Sequence, residues 1–365
     1  MERFRAAFEG VEDPRRGNRL QHDLLEVLFI GLCASLCGAE SCVDMADFAE
    51  AKEEVLREFL VLRGGPPSHD TFSRVFRLLD PKGFHAAFQR FMADFAAAQV
   101  EVLAIDGKIL RRSFDGAASA SPLHLVNAWA SDERLVLGQM KVAAESNEIT
   151  AVPALLRLLS LEGTTVTLDA MHCQRTTAET IRAGGGDYLM AVKTNQPALH
   201  EDVKLLMDDP GAPADGVDET VDGDHGRIET RRAEVLHDVG WLAETHGWPG
   251  LAAAGKVTAI REVDGRATTS VRYFIASRPL AAAELNRLVR GHWGIENRLH
   301  WVLDVVMNED QARARKDHAP ENLALLRRFA LNIIKRNKDK GSNRLKFKRA
   351  GWDDRFLRKL ISEIA

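Results

Sequence analysis

The apolar periodicity of this chain changes once, at Val100, and that change constrains the fold more than any other feature. Before it, every segment reads as helix. Beyond it, apolar runs of strand length alternate with amphipathic stretches. Val100–Ile105, His124–Ala130 and Arg134–Val142 read as three strands, the last two joined by Ser131-Asp132-Glu133. Glu148–Leu161 reads as an amphipathic helix, Thr164–Leu168 as a fourth strand, Thr176–Ala183 as a helix and Asp187–Val192 as a fifth strand. Three strands, then helix, strand, helix, strand, predict an α/β fold with a mixed sheet covered by helices on its faces. At 365 residues the chain is long for one domain, so two or three units are expected.

Residues 1–98 read as an all-helical unit. A basic stretch (Arg15, Arg16, Arg19) leads to an apolar helix from about His22 to Cys37 and a more charged one from about Val43 to Leu62. Gly64, Gly65, Pro66 and Pro67 break the chain, and Ser68 caps a short helix. Pro81 opens a helix with Phe84, Phe88, Phe91 and Phe95 on one face. Short helices about a tight turn fit a helix-turn-helix with His69, Arg74 and Arg77 toward DNA; a packed bundle for protein contacts fits equally well. At the other end, a helix over Pro320–Asn337 precedes a polar basic tail, 338–365. From Arg327 to Arg349 ten Lys or Arg face one acid, Asp339, although the whole chain carries a net charge of −4. Cys33, Cys37, Cys42 and Cys173 form no CxxC pair and read as free thiols. The first residues lack a signal-peptide core, and Leu24–Cys37 is too short for a bilayer and carries Glu26. A cytoplasmic protein with no membrane partner is expected.

Between the fifth strand and residue 290 lies a strand-rich insertion, about 208–280. Asp208–Asp224 is acidic and rich in Gly and Pro. His225-Gly226-Arg227 opens a strand-like run, and Val257–Val263 with Thr268–Ser277 makes a hairpin around Asp264-Gly265. The chain then reaches a helical stretch, Arg290–Asp310, with His292, Glu296, His300 and Asp304 each four residues apart. His292 and His300 would be about 12 Å apart in rise, which excludes one zinc ion held by this helix alone. A carboxylate lent to a site built elsewhere fits better. Asp106 and Asp169 each follow an apolar strand and sit at its end. Adjacent strands would bring them together, with the Glu296 helix beside them. Acids so gathered raise one another's pKa values, and divalent cations remove that penalty.

Five motifs carry a family resemblance: Ile105–Lys108 (IDGK), Asp169–Gln174 (DAMHCQ), Val192–Gln196 (VKTNQ), HGRIETR at 225–231, and HWGIENRLHW leading to LDV and NED. In that order the chain resembles bacterial insertion-sequence DDE transposases of the ISAs type, within the IS-four-like group. Residues 1–98 resemble that family's N-terminal associated domain. The resemblance implies an RNase H-like core over 99–337 and a catalytic triad of Asp106, Asp169 and Glu296. It also implies two Mg2+ ions, with Mn2+ able to substitute, held by the same three residues. The substrate would be double-stranded DNA at element ends and target, bound by a homo-oligomer. The wider group places Tyr, Arg and Lys around its glutamate where this chain has Val289, His292 and Leu303. Phosphate contact then falls to His292, and charge to Arg290 or Arg298. Asp304 and Glu309 are alternative third ligands. Lys108, His172, Lys193, Asn195, His225 and Arg227 are further candidates for DNA contact; Lys108 reads equally as solvated, His172 as a strand-end histidine satisfied by backbone, and His225 with Arg227 as a tight turn. A transposase-derived regulatory protein and a simple metal-dependent nuclease remain as alternative functions.

Overall fold

The computed structural model describes residues 1–17, 20–93, 100–114, 121–143, 147–224 and 226–364. Six helices come first: α1 (Glu2–Phe8), α2 (Leu24–Leu36), α3 (Cys42–Ala51), α4 (Glu53–Leu56), α5 (His69–Leu78) and α6 (Pro81–Ala93). The alternating region follows as β1 (Val102–Leu110), β2 (Leu123–Ala130), β3 (Leu135–Lys141), α7 (Glu148–Leu156), β4 (Thr165–Leu168), α8 (Arg175–Ala183) and β5 (Asp187–Val192). The order of elements is the one the periodicity predicts. In the sheet these strands run β3-β2-β1-β4-β5, with β1, β2 and β3 antiparallel and β1, β4 and β5 parallel. That is an RNase H-like core. One boundary differs: β1 continues past Ile105 to Leu110, so Asp106 sits within a strand and not at its end. Pairing with β2 as far as Leu110↔Leu123 holds the polar residues in the ladder.

The insertion does not form a separate body. After α9 (Pro197–Asp208) come β6 (Gly216–Asp224), β7 (Arg227–Leu236), α10 (Gly240–His246), β8 (Ala253–Val263) and β9 (Arg266–Ala276). β9 pairs antiparallel with β5, and the nine strands form one sheet. The two-residue turn between β8 and β9 has Asp264 at φ 49° and Gly265 at φ 73°, the left-handed pair that a tight hairpin demands. Within the acidic stretch, Gly216–Asp224 is a strand. Despite its Gly and acid content it pairs with β7, which sets Arg232 opposite Glu219. A charged strand also suits the outer edge of a sheet.

The remaining elements are α11 (Ala282–His292), a π-helical segment (Glu296–His300), α12 (Trp301–Val305), α13 (Ala319–Arg336), α14 (Asn343–Trp352) and α15 (Asp354–Ile364). α13 is buried along most of its length and joins the two halves of the molecule. On one side Phe329 meets Phe91 at 4.6 Å, Phe88 at 5.5 Å and Phe8 at 5.9 Å between ring centres. Phe95, expected on the same face, lies outside the described residues. On the other side Asn332 accepts from Val136 N (2.9 Å) and donates to Val136 O (2.8 Å), satisfying backbone groups of β3. None of the four cysteines is in a disulfide. Among the described residues no helix is long and apolar enough to cross a membrane.

The segment read as a polar basic tail is corrected by the structure. α14 and α15 bury Phe347, Phe356, Leu357, Leu360, Ile361 and Ile364 in the core they share with α2 and α13. Lys52 pairs with Asp354 and Arg358 with Glu58, tying α15 to the N-terminal helices. Several of the counted cations are consumed internally: Arg328 is wholly buried, Lys346 donates to Asn337 O, and Arg349 meets Asp353. The charge count obscured an apolar stripe at helical spacing. Leu357→Ala and Leu360→Ala should each cost about 2–5 kcal/mol through lost burial and the cavity left behind. A fall in denaturation midpoint at unchanged slope would register this; unchanged midpoints would return these helices to a loosely attached tail.

Candidate active site

β1 and β4 are parallel neighbours with Ile105 opposite Leu168, so Asp106 and Asp169 come next to each other along the paired strands. The Asp106 side chain is 20% exposed, and its Oδ1 accepts from Gly107 N at 2.9 Å. Glycine at 107 leaves room for the Glu148 carboxylate, which a Cβ there would displace. Asp169 is more open, and its Oδ1 accepts from His172 N at 3.2 Å, which steadies the turn after β4.

The third acid comes from the helical stretch, but not on a regular helix. Over Glu296–His300 the chain widens into a π turn, with Trp301 N donating to Glu296 O. Such turns often occur at functional sites. Lys335 Nζ donates to Arg298 O at 2.8 Å and supports the widened turn. The extra residue breaks up the ladder of four. His292 Nδ1 meets Thr167 Oγ1 at 3.1 Å, and Asp304 pairs with Lys108. Only Glu296 and His300 reach Asp106. His300 Nδ1 lies 3.4 Å from Glu296 Oε2 and 3.7 Å from Asp106 Oδ2. One potential ligand atom from each of Asp106, Glu296 and His300 lies within 4.8 Å of the others. Asp169 lines the same cleft, with Lys193, Arg272 and His292, but is not part of that tight group.

The electrostatics suit a cation. Burial, reinforced by the charges of Glu296 and Asp169, pushes the Asp106 carboxyl up to about 6 against the opposing pull of His300 and Gly107 N–H. The hydrogen bond with His300 draws Glu296 below its ordinary value. Carboxylates held at this separation beside one imidazole leave negative charge uncompensated, and their oxygens are donors a divalent ion accepts.

Several expected DNA contacts are placed elsewhere. Lys108 is 7% exposed, with its ammonium on Asp304, so it is not free for phosphate. His172 is fully buried, its Nε2 2.9 Å from Glu148 Oε2 though off the hydrogen-bonding direction. Burial holds His292 down to about 4, so it is neutral near pH 7 and lines the cleft without charge. Asn195 donates to Ala170 O at 2.6 Å and braces the turn after Asp169. Arg77 is engaged by Asp317, Arg290 by Asp222 and Arg227 by Glu229, while Arg74 and Arg298 are exposed. Of the alternative third acids, Asp304 is neutralised by Lys108, and Glu309 is wholly buried on Arg328. His225 lies outside the described residues.

The sequence reading missed two features. Asn127 and Arg328, both fully buried, stand behind His300 and carry no motif. A groove lined by Arg227, Arg231, Arg261, Arg272 and Arg290, with Glu229 paired to Arg227 and Arg231, adjoins the cleft, the two sharing Arg272, Val289 and Trp293. The Arg272 guanidinium lies 4.7 Å over the Trp293 ring. The alternation Arg227, Glu229, Arg231 along β7 was a usable signal, since residues two apart share a face.

Asp106 also sets a pH dependence. A carboxyl whose folded pKa lies above its unfolded value binds its proton more tightly when folded. Its contribution to stability is therefore complete below the unfolded pKa, near 4, and lost as pH rises through about 6. In chelator, melting temperature should decline across that window, and Asp106→Asn should flatten the decline. Equal slopes in both proteins would show that Asp106 titrates normally.

Comparison with known proteins places this geometry in a family. The family described as "Transposase DDE domain" matches residues 97–333, and its associated domain matches residues 5–92. The H repeat-associated protein YhhI of Escherichia coli K12, provisionally named a transposase, is 36% identical over 96% of both chains. YncI of Escherichia coli O157:H7, provisionally named likewise, is 34% identical over 96% of this chain and 92% of its own. A Xanthobacter autotrophicus protein encoded in the dhlA 3′ region is 45% identical over 74% of this chain and 92% of its own. Among solved structures, a piggyBac transposase synaptic complex with hairpin DNA aligns with a TM-score of 0.45 and 12% identity, over all of this chain and 84% of that one, too loosely to assign residues. With an RNase H-like core matched over most of its length, this chain belongs to the DDE transposase family.

Proposed function

We propose that this chain cuts and joins DNA at the ends of an insertion element, with Asp106, Asp169 and Glu296 as its catalytic acids. The observation that carries this reading is a single cleft lined by all three carboxylates and continuous with an arginine-lined groove. A phosphodiester needs both features: positive charge along its backbone and a place where negative charge on the protein awaits a cation. Asp106 and Glu296, with Asp169 at the rim, would hold two Mg2+ ions, and Mn2+ would serve in their place. Ions bound there would acidify an attacking water or 3′-hydroxyl and stabilise the departing oxygen.

The chain's own groups do the rest. Arg261 and Arg272, with Arg231 held beside them by Glu229, run a phosphate backbone toward the cleft, and Lys193 at its rim neutralises the phosphate nearest the acids. His292, held by Thr167 and uncharged, lines the cleft without adding positive charge there. Arg74 on the exposed face of α5 is available for a second, sequence-reading contact. Joining two element ends to a target calls for more than one copy, so a homo-oligomer on DNA is part of this proposal.

Two experiments test it. Asp106→Asn, Asp169→Asn and Glu296→Gln should each abolish cleavage and strand transfer of a labelled element-end duplex while leaving end binding intact, because the charge that holds the ions is lost and the shape is kept. Asp304→Asn serves as the control, since that acid is spent on Lys108. Cleavage by Glu296→Gln would refute the assignment, and cleavage without strand transfer by the unaltered protein would reduce it to a nuclease. Separately, Arg231→Ala with Arg261→Ala should reduce the slope of log affinity against log salt by about one per lost phosphate contact. An unchanged slope would move DNA off this groove.

A further inference from the structure

We propose that His300 is a positioning residue for Glu296, and that a buried chain from Glu309 through Arg328 and Asn127 sets which of its nitrogens carries the proton. The role at Glu296 rests on the reading of the cleft above; the tautomer does not. Arg328 is fully buried and its guanidinium can only donate. It gives Nη1 to Glu309 Oε1 at 2.7 Å and to Ala324 O at 2.9 Å, and Nε to Asn127 Oδ1 at 2.7 Å. This orients the Asn127 amide. With its oxygen engaged by a donor, its nitrogen faces His300 Nε2 at 3.5 Å, a long contact but one with a fixed direction. An amide nitrogen has no lone pair to accept with, so His300 Nε2 must be the acceptor. The imidazole proton is then on Nδ1, the atom that faces Glu296 Oε2 at 3.4 Å and Asp106 Oδ2 at 3.7 Å.

The arrangement addresses a problem posed by Glu296. Its side chain is 51% exposed, on a long flexible stem within a widened turn, whereas the imidazole is 5% exposed and rigidly packed. A donor fixed at Nδ1 restrains the carboxylate in one orientation beside Asp106. A buried Arg–Glu pair adds little net stability, because desolvation of both ions offsets their attraction. Packing alone therefore does not account for Glu309 and Arg328 in the interior.

The test reads the tautomer directly, in metal-free protein labelled at histidine with 15N and 13C, with His300→Asn identifying the resonance. His300 should show a protonated Nδ1 and an unprotonated Nε2. Asn127→Asp replaces the donor by an acceptor of the same shape and should move the proton to Nε2, leaving a lone pair toward Glu296. If the tautomer fails to move in a folded Asn127→Asp protein, or if the unaltered protein carries its proton on Nε2 or on both nitrogens, the proposal is overturned. The unaltered protein decides the matter even should Asn127→Asp not fold. On element-end DNA, Asn127→Asp and His300→Gln should lower kcat by roughly 10–100-fold with end affinity unchanged. His300→Asn, whose amide nitrogen occupies the Nδ1 position, should recover most of that loss. Loss of affinity in place of kcat, or no recovery by Asn, would give His300 a merely structural part. If even the unaltered protein leaves that DNA uncut, it is the transposase reading that fails, and the spectra still decide the tautomer.

Discussion

The parallel pairing of β1 with β4 is the constraint on which the site depends. With Ile105 set opposite Leu168, the next residue on each strand is an aspartate, and both emerge on the same stretch of sheet. A slip of one residue would turn one of the two to the opposite face, since side chains alternate along a strand. The register is held by buried neighbours on both sides: Leu103, Ile105, Val166 and Leu168 belong to one apolar cluster beneath α7 and α8. The gathered acids are thus a consequence of core packing, and their mutual repulsion is borne by a sheet that buries apolar residues on both faces.

α13 plays the corresponding role for the rest of the molecule. Its aromatic and aliphatic residues unite the N-terminal helices with α14 and α15, while Asn332 joins it to β3 and Arg328 reaches toward the site. One helix therefore carries both the core of the helical region and the buried polar chain behind His300. The two halves are coupled through a shared interior and not through a linker, and the Arg77–Asp317 pair adds a further connection at the surface.

Charge is unevenly distributed along the sheet. The acids sit where β1, β4 and the π turn meet, whereas the arginines line β7, β8 and β9 of the extended half. Because β9 pairs directly with β5, the insertion carries those arginines into the same surface as the acids. The overall charge of −4 conceals this groove, whose arginines alternate with acids such as Glu229 and Asp222.

Much of this was legible in the chain itself. The period change at Val100, the order of strands and helices, the Asp264-Gly265 turn and the acids at 106, 169 and 296 all follow from local pattern or motif, because those signals reside in neighbouring residues. What sequence could not decide were questions of partnership. Nothing local in Gly216–Asp224 says that it would form the outer strand beside β7. The C-terminal cations read as a tail until their intervening apolar residues meet α2. Lys108 and His172 read as available until Asp304 and Glu148, distant in sequence, are found to hold them. The four-residue ladder is the sharpest instance: regular spacing predicts one face, but the π turn sends His292, Glu296 and Asp304 to separate partners. Sequence determined which groups were present and in what order; burial and long-range pairing decided which remained free to act, because an isolated string of residues carries no record of what lies against it.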